Sequence, residues 1–416
     1  MLPIRALLPL TLSQCFYLLA LALGILSGFS EWSMVHALAT NISEIFIRIF
    51  KCISLPLISI SILVSLANMK DEGHSSLMWR RAIRYTIATT FISALIAFFL
   101  YLIIRPSKVL TPSHLDPSTV RKSIGNINYS DQIIKIIPEN IFSPFISNNV
   151  LSVLVIGLVI GIAINYIPNR ESRQTVRSFF NGFHDLLLII TKWIVTLIPI
   201  ALYSFVTVAI LELRSGAHIA GLGEYIGVIL LSNLIQGFII LPLLLFINRI
   251  APFRAMHNML PALSLAFFSK SSVAALPITM KTAEENLHVS PKISRTILPF
   301  CTTCNMNGCA AFIFTTVIYV MENNGASVSP GSMLIWVAIA TLASIGNAGV
   351  PMGCYFLSAS LLASMDIPIV LMGIILPFYT FLDMLETSLN VWSDSCVTMI
   401  VDAEVKEAAH KGTARL

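Results

Sequence analysis

The chain has 416 residues, of which 56% are hydrophobic and only 11% charged, and its mean hydropathy is +0.83. Soluble domains carry about 25% charged residues, so this composition excludes a water-soluble globular protein and predicts an integral membrane protein. The formal net charge of +5 comes from lysines and arginines spread over short loops. That distribution argues against nucleic-acid binding and fits loop ends that face anionic lipid.

Long apolar runs follow one another along the chain. A helix needs about 20 apolar residues to cross a bilayer. The first run is too long for a signal-peptide core and lacks a cleavage site, so we interpret it as a retained span. We therefore predict eight transmembrane helices, near 7–29, 43–68, 83–104, 142–166, 184–212, 223–249, 293–321 and 368–401.

Basic residues predict the orientation of these spans. The loops 30–42 and 322–332 contain no lysine or arginine, whereas the second, fourth and sixth loops are basic. Both termini are then cytoplasmic, in a multi-pass protein of the cell (inner) membrane. The third loop, 105–140, is also basic although this count places it outside. A topology with one span fewer in the first half therefore remains an alternative. The basic residues of the cytoplasmic loops are Lys70, Arg80, Arg81, Arg84, Arg170, Arg173, Arg177, Arg249 and Arg254.

Two apolar segments, near 258–283 and 333–365, are interrupted by small and polar residues. The centres of these segments are Phe268–Pro277 and Ser344–Gly353, and a span with polar residues follows each one. Unpaired backbone in hydrocarbon costs several kcal/mol per group, so such breaks are tolerated only where they are buried in protein or line a cavity. Paired discontinuous segments are typical of a transporter binding site. The alternative is a pair of kinks in ordinary helices.

The last span carries five polar residues at helical spacing. With offsets of 0, 3, 4, 7 and 11 they share one face. An acid at the centre of a span costs roughly 2.5–3.5 kcal/mol even on the lenient insertion scale. We expect a water-filled site that holds cations and an ammonium group, because a structural role would need a buried cation for each acid. The five residues are Asp383, Glu386, Thr387, Asn390 and Asp394.

The span before it carries Asn305, Asn307 and Gly308, which predict local unwinding that frees carbonyls for coordination. In the third span, Thr86, Thr89 and Thr90 share a helix face, although threonines in such positions most often bond to their own helix.

The seven cysteines all lie in apolar stretches, which argues against a disulfide framework. Cys301 and Cys304 have the spacing of a redox or zinc pair. Because no second pair and no histidine lies near them in the sequence, we do not expect metal or redox chemistry there.

These motifs, in this order, resemble the dicarboxylate/amino acid:cation symporter family, which is the glutamate transporter family. The similarity covers nearly the whole chain, and the last-helix motif is nearest to the sodium/serine-threonine branch. The motifs that carry it are Ile137–Asn140, Gly161–Ile164, Lys270–Pro277, Asn305–Gly308, Gly346–Pro351 and Asp383–Asp394.

The resemblance implies an all-α integral membrane protein with eight transmembrane helices, two re-entrant helical hairpins and inverted repeats. It also implies a homotrimer with an elevator mechanism. Residues 1–254 would form mainly the scaffold and trimerisation helices, with spans 3 and 6 joining the transport domain. Residues 255–404 would form the core transport domain, and 405–416 a cytoplasmic tail.

The resemblance also implies two sets of ligands. Asp383 would hold the substrate amino group, and sodium ions would serve as coupling ions without any further cofactor. The substrate set is Ser271, Ser272, Gly349, Val350, Asp383, Glu386, Thr387 and Asn390. The sodium set is Thr89, Thr90, Cys301, Thr303, Asn305, Asn307, Ser344, Asn347, Asn390 and Asp394.

Three positions depart from the family pattern. Glu386 stands where acidic-substrate members have an arginine, Asn307 replaces an aspartate, and Thr86 replaces a tyrosine. The changes at Asn307 and Thr86 put a third sodium site, formed with Thr89 and Thr90, in doubt.

The predicted function is sodium-coupled uptake of a small, neutral, serine- or threonine-like amino acid. The alternative is a sodium- or proton-coupled symporter of glutamate, aspartate or dicarboxylates, and a cationic amino acid is a third substrate class. An intramembrane enzyme is disfavoured because the sequence has no Gly-x-Ser-x-Gly or His-Glu-x-x-His motif. A channel is disfavoured because paired breaks at one site favour alternating access.

Overall fold

The computed structural model describes residues 12–68, 76–108, 137–147, 149–214, 220–347, 349, 351–365 and 367–413. Within these ranges the chain forms helices and no strands. We number the α-helices in chain order. They are α1 Leu12–Phe29, α2 Ser33–Ala67, α3 Ser76–Ile104, α4 Ser143–Ile146, α5 Val150–Ile164, α6 Arg170–Thr196, α7 Ile198–Arg214, α8 Ala220–Ile235, α9 Leu241–Ile247, α10 Pro252–Ser269, α11 Ser272–Glu285, α12 Pro291–Cys304, α13 Asn307–Asn323, α14 Pro330–Ile345, α15 Gly353–Ser364 and α16 Val370–Thr413.

Three helical stretches of the described chain are long and apolar enough to cross a membrane alone: Leu77–Ile104, Gly221–Ile247 and Pro291–Asn323. The pair Arg170–Ile194 and Ile198–Val208, bent by 53°, gives a fourth if it is one span. The other apolar helices are shorter or interrupted. The count of eight crossings therefore stays a prediction.

One predicted boundary is wrong. The sequence predicts a loop at 30–42, but α2 begins at Ser33, so the connection to α1 is only three residues long. At the other end, the last helix continues beyond the predicted span to Thr413, so most of the predicted tail is helical.

The two broken segments form helices on either side of their polar centres. In the first, α10 and α11 pack against each other as a helical hairpin joined by Lys270 and Ser271. In the second, α14 packs against α3 and α13, while α15 packs against α2 and α13. The two arms of the second broken segment thus share α13 and differ in their other neighbour.

The helix between these segments is also broken, as Asn305 and Gly308 predict. α12 ends at Cys304 and α13 begins at Asn307, so Asn305 and Met306 lie between them outside helical geometry. Every residue of α13 from Asn307 to Met321 is buried. The interruption therefore lies inside the protein, where backbone polar groups can be satisfied by other residues.

The last helix, α16, is the central element of the second half. It packs against α3, α7, α10, α11, α12 and α13. Its later part is held by polar contacts: Glu404 pairs with Arg81 and accepts a hydrogen bond of 2.8 Å from the Tyr85 hydroxyl, and Lys406 pairs with Asp402 at 2.6 Å. The contacts of Glu404 join this part of α16 to α3, whereas the Lys406–Asp402 pair lies within α16 itself.

The expectation about cysteines is also wrong in one respect. Cys309 at the start of α13 and Cys354 at the start of α15 form a disulfide, with their Cα atoms 5.5 Å apart. Sequence spacing gave no sign of this pairing, because 45 positions separate the two residues and neither lies in a paired cysteine motif.

Candidate functional site

The five polar residues of α16 are all buried, with between 1% and 5% of each exposed. Because so little of them reaches the surface, the site is closed to solvent in this structure. Asp383 contacts the break between α14 and α15, whereas Asn390 and Asp394 contact the break between α12 and α13.

Asp383 and Glu386 are linked by a tyrosine of their own helix. The Tyr379 hydroxyl lies 3.3 Å from Asp383 Oδ1 and 3.4 Å from Glu386 Oε2. Asp383 Oδ2 also accepts a hydrogen bond of 3.1 Å from the backbone N–H of Met352, so the second break covers this carboxylate. Glu386 Oε1 is buried and has no hydrogen-bond partner within the described chain.

The tips of the two broken segments, α10–α11 and α14–α15, meet next to Asp383. The Ser271 hydroxyl donates to the Gly349 carbonyl at 3.2 Å, and the Val273 N–H donates to the same oxygen at 3.5 Å. Ser271 also caps α11, since its Oγ accepts from the Ala274 N–H at 3.2 Å. The tips of the two broken segments are therefore in contact, and Ser272 is buried behind them. Val350, predicted to contact the substrate, lies outside the described residues.

Left-handed backbone shapes both tips. Lys270 has φ of 54° in the first, and Gly349 and Met352 have φ of 61° and 66° in the second. A Cβ atom on Gly349 would lie 2.8 Å from the Thr302 carbonyl oxygen, so the close approach needs glycine. Lys270 interacts electrostatically with Asp383.

A second cluster forms around the break between α12 and α13. Asn390 Oδ1 accepts from the free backbone N–H of Gly308 at 2.9 Å, and Asp394 Oδ1 accepts from Asn305 Nδ2 at 3.1 Å. Asn305 also donates to the Ser393 hydroxyl at 2.9 Å. The structure thus brings Asp394, Asn305 and Asn390, all members of the predicted sodium set, to one break.

The threonines of α3 reach the same break. The Thr89 hydroxyl donates to Asn305 Oδ1 at 3.0 Å, and Asn307 Nδ2 donates to that oxygen at 2.9 Å. Asn307 Nδ2 also lies 3.5 Å from the Thr90 hydroxyl. Gln236 completes the group, because its Nε2 contacts Asn307 Oδ1 at 2.5 Å. The predicted third site is therefore a network of amides and hydroxyls in this structure.

The remaining predicted ligands are more scattered. Thr303 pairs with the Ser65 hydroxyl of α2 at 2.5 Å, while the Ser344 hydroxyl donates to Thr341 within its own helix at 2.8 Å. Asn347 lies against the sulfur atoms of Cys309 and Cys354.

The Thr387 hydroxyl donates to the Asp383 carbonyl of its own helix at 2.7 Å. Cys301 is buried, and its sulfur lies 3.8 Å from the Thr86 hydroxyl.

Sequence reasoning missed two residues of this site. Tyr379 precedes Asp383 by one helical turn and shares its face, so the spacing could have included it. Gln236 sits in a π-helical turn, Gln236–Ile240, between α8 and α9. Such turns are frequent at functional sites, but nothing in the local sequence signals one here.

A model of the sodium:dicarboxylate symporter family matches residues 15–404, which include every side chain of the site. The chain belongs to this family. The symporter is therefore a membrane transporter and not an enzyme, and the resemblance seen in its motifs is confirmed.

Three relatives extend the comparison. The symporter is 26% identical to the Caenorhabditis elegans protein glt-4, whose name describes a sodium-dependent excitatory amino acid transporter, over 95% of the chain and 90% of the relative. It is 27% identical to the neutral amino acid transporter B(0) of Oryctolagus cuniculus, over 89% and 74%. It is 32% identical to the neutral amino acid transporter A of Bos taurus, over 64% and 51%.

Proposed function

We propose that the symporter takes up a small neutral amino acid together with sodium. The observation that carries this proposal is the buried pair Asp383 and Glu386 beneath the joined tips of the two broken segments. Asp383 would bind the ammonium group of the substrate in a charge-assisted hydrogen bond. Backbone and hydroxyl groups of the tips, at Ser271 and Gly349, would then face the substrate carboxylate.

Glu386 favours a substrate with a neutral side chain. It lies one helical turn from Asp383, is 1% exposed, and shares the Tyr379 hydroxyl with that residue. A glutamate or aspartate substrate would bring a second carboxylate against a buried acid, and juxtaposed like charges cost several kcal/mol. A serine or threonine hydroxyl could instead donate to the unpartnered Glu386 Oε1. Two of the compared relatives carry neutral amino acid in their names.

The sodium ions would bind at the broken helix. Hard cations prefer oxygen ligands from carboxylates, amides and backbone carbonyls, and Asp394, Asn305 and Asn390 bring such groups together at one break. A second ion would use Thr303 with carbonyls near Cys301, Ser344 and Asn347. A third would use Thr89, Thr90 and Asn307, whose side chains form one hydrogen-bonded network with Asn305.

We further propose that residues 255–404 move as a transport domain against a trimeric scaffold, in the manner of an elevator. Support comes from α16, which packs against α10, α11, α12 and α13 and so holds the first hairpin and the broken helix as one body. α3 joins this body through Thr89 and through the Ser93 hydroxyl, which donates to the Asn307 carbonyl at 2.7 Å.

Uptake of an acidic amino acid or dicarboxylate is the second candidate. It is favoured by the family description and by glt-4, the relative whose name specifies excitatory amino acids and whose match covers 95% of the chain. In that case Lys270, which interacts with Asp383, would have to approach the substrate side chain.

A substrate screen in proteoliposomes separates these candidates. Uptake of radiolabelled serine, threonine, aspartate and lysine is measured with and without an inward sodium gradient. We expect gradient-dependent serine or threonine uptake, and Glu386→Arg should gain aspartate binding while losing the native substrate. Tight aspartate binding by the wild type would establish the acidic candidate, and a preference for lysine would show that Glu386 selects a cationic substrate.

A further inference from the structure

Two cysteines meet at the point where the second broken segment touches the broken helix. Cys309 lies in the first turn of α13, Cys354 lies in the first turn of α15, and each is 2% exposed. Their Cα atoms are 5.5 Å apart and their sulfur atoms are bonded in this structure, a separation that is typical of disulfides. After reduction of the bond, the same separation would keep the two thiol sulfur atoms close together.

A carboxylate faces the same point. The two sulfur atoms and a Glu386 carboxyl oxygen all lie within 4.8 Å of one another. Gly308 allows this approach, since a Cβ there would lie 2.8 Å from the Glu386 Cα. Glu386 Oε1 is buried without a hydrogen-bond partner among the described residues, and a buried carboxylate oxygen in that state is costly unless a cation or a donor reaches it.

An amide completes the group. Asn347 Nδ2 lies 2.9 Å from Cys309 Sγ and 3.3 Å from Cys354 Sγ, and Asn347 Oδ1 is buried without a partner in the described chain. The two ends of an amide are distinguished only by their hydrogen bonds. Turning this side chain by half a rotation would present the oxygen, a ligand atom, to the sulfur atoms instead.

We propose that the reduced form of Cys309 and Cys354, with Glu386, binds a thiophilic divalent cation of the zinc and cadmium class. Two thiolates and a carboxylate are a donor set that such ions prefer, and the Asn347 oxygen could supply a fourth ligand. Sodium, which is hard, is expected at the cluster of Asp394 and Asn305, which contains no sulfur ligand. The two kinds of cation are therefore separated by ligand chemistry.

The reaction balances with a dithiol reductant. The reductant gives two electrons and two protons to the Cys309–Cys354 disulfide and becomes a disulfide itself, which leaves two thiols on the protein. Cation binding then displaces one proton from each thiol to bulk water. The bound ion would tie α13 to α15 just after the tip that covers Asp383. If the proposed function is correct, the ion would therefore hold that tip closed and inhibit uptake.

Direct binding tests the site without relying on transport. The full-length protein in detergent is reduced with dithiothreitol, desalted without oxygen, and titrated with Cd²⁺. Binding is followed by the ultraviolet thiolate-to-cadmium band and by metal analysis. We expect one Cd²⁺ per chain in the reduced protein and none at this site after oxidation. Cys309→Ser and Cys354→Ser should each weaken binding at least about tenfold, a loss typical of a damaged metal site.

Matched variants make the result decisive. Glu386→Gln should weaken Cd²⁺ binding while leaving two thiols that react with a thiol reagent. Cys396→Ser, which changes a free and fully buried cysteine of α16, should bind Cd²⁺ like the wild type. If a serine variant fails to fold, the alanine variant at the same position is used in its place.

Two outcomes would overturn the proposal. One is a reduced wild-type protein that shows no cadmium–thiolate band. The other is undiminished Cd²⁺ binding in the Cys309→Ser, Cys354→Ser double variant, which would place the ion elsewhere, for example at Cys301 and Cys304. Because neither readout requires uptake, failure of the metal site and failure of the proposed amino acid transport remain distinguishable.

Discussion

Asp394 is a buried acid whose polar neighbours are uncharged. Its Oδ1 accepts from Asn305, and none of the ion pairs among the described residues involves it. Asp394→Asn removes the charge and keeps the shape. We expect sodium affinity and sodium-dependent uptake to fall at least about tenfold, since a coordinating carboxylate supplies charge as well as an oxygen, while thermal stability changes little. Sodium titrations of purified protein and uptake measure both effects.

Asp402→Asn is the control for that variant. Asp402 is also a buried acid of α16, but it contacts Ser290 and pairs with Lys406. The substitution should lower thermal stability and leave sodium affinity unchanged. Equal sodium affinity in Asp394→Asn and the wild type would remove Asp394 from the proposed sodium site.

Tyr379 supplies the second test at this scale. Tyr379→Phe removes a hydroxyl placed between Asp383 and Glu386, and leaving buried acceptors short of a donor costs about 1–3 kcal/mol. We expect substrate affinity to fall by about tenfold or more, measured as Kd for the substrate found in the uptake screen. Tyr355→Phe is the matched control, because the buried Tyr355 hydroxyl donates to the Met372 carbonyl at 2.7 Å. Equal losses of affinity in both variants would show that Tyr379 acts only through packing.

At the same scale, sequence spacing predicted which residues share one face of a helix, but it missed the residues that neighbouring helices contribute to the site. The offsets from Asp383 to Asp394 placed five residues on one buried face, because the helical repeat fixes that face. Gln236 and the partnership of Cys309 with Cys354 depend on contacts across 71 and 45 positions. Such contacts are set by the packing of separate helices, which local periodicity does not encode.

At the scale of the element, the tip of the second broken segment depends on Gly349. Gly349→Ala would place a Cβ atom 2.8 Å from a backbone oxygen and would force alanine to φ of 61°, a left-handed conformation that costs roughly 1–2 kcal/mol. We expect initial uptake rates, normalised to protein in the membrane, to fall at least about tenfold. The tip would no longer close over Asp383.

Gly325→Ala separates the backbone cost from the contact. Gly325 also has positive φ, at 90°, but a Cβ there meets nothing within 4 Å. This variant should transport at close to the wild-type rate. If both alanine variants lose uptake equally, backbone strain rather than closure of the tip explains the effect.

The sequence predicted the positions of the helix breaks. Small and polar residues inside apolar runs predicted interruptions near 268–277, 305–308 and 344–353, and α10–α11, α12–α13 and α14–α15 are divided there. The sequence did not predict how the helices on either side of each break pack. α10 and α11 pack against each other, whereas α14 and α15 each pack against α13, α14 together with α3 and α15 together with α2. This choice depends on the surfaces offered by α2, α3 and α13.

At the scale of the whole molecule, the number of crossings is the property that helix length alone leaves open. α6 and α7 bend by 53° within one apolar run, and breaks divide several other spans. Charge is the independent signal: basic loops predict which connections face the cytoplasm. With eight crossings, six spans separate Glu31 from Ser327, so both residues lie outside. With one span fewer in the first half, they lie on opposite sides.

Introduced cysteines decide between these topologies. In a Cys52→Ser background, since Cys52 is exposed, Glu31→Cys and Ser327→Cys are labelled in intact cells with a membrane-impermeant maleimide. Both positions are exposed in the structure, as are Ser172 and Glu407. We expect Glu31→Cys and Ser327→Cys to react at once, and Ser172→Cys and Glu407→Cys to react only after permeabilisation, because each crossing reverses the side of the chain. Labelling of Ser327→Cys but not Glu31→Cys in intact cells would show an odd number of crossings between them and would establish the shorter topology.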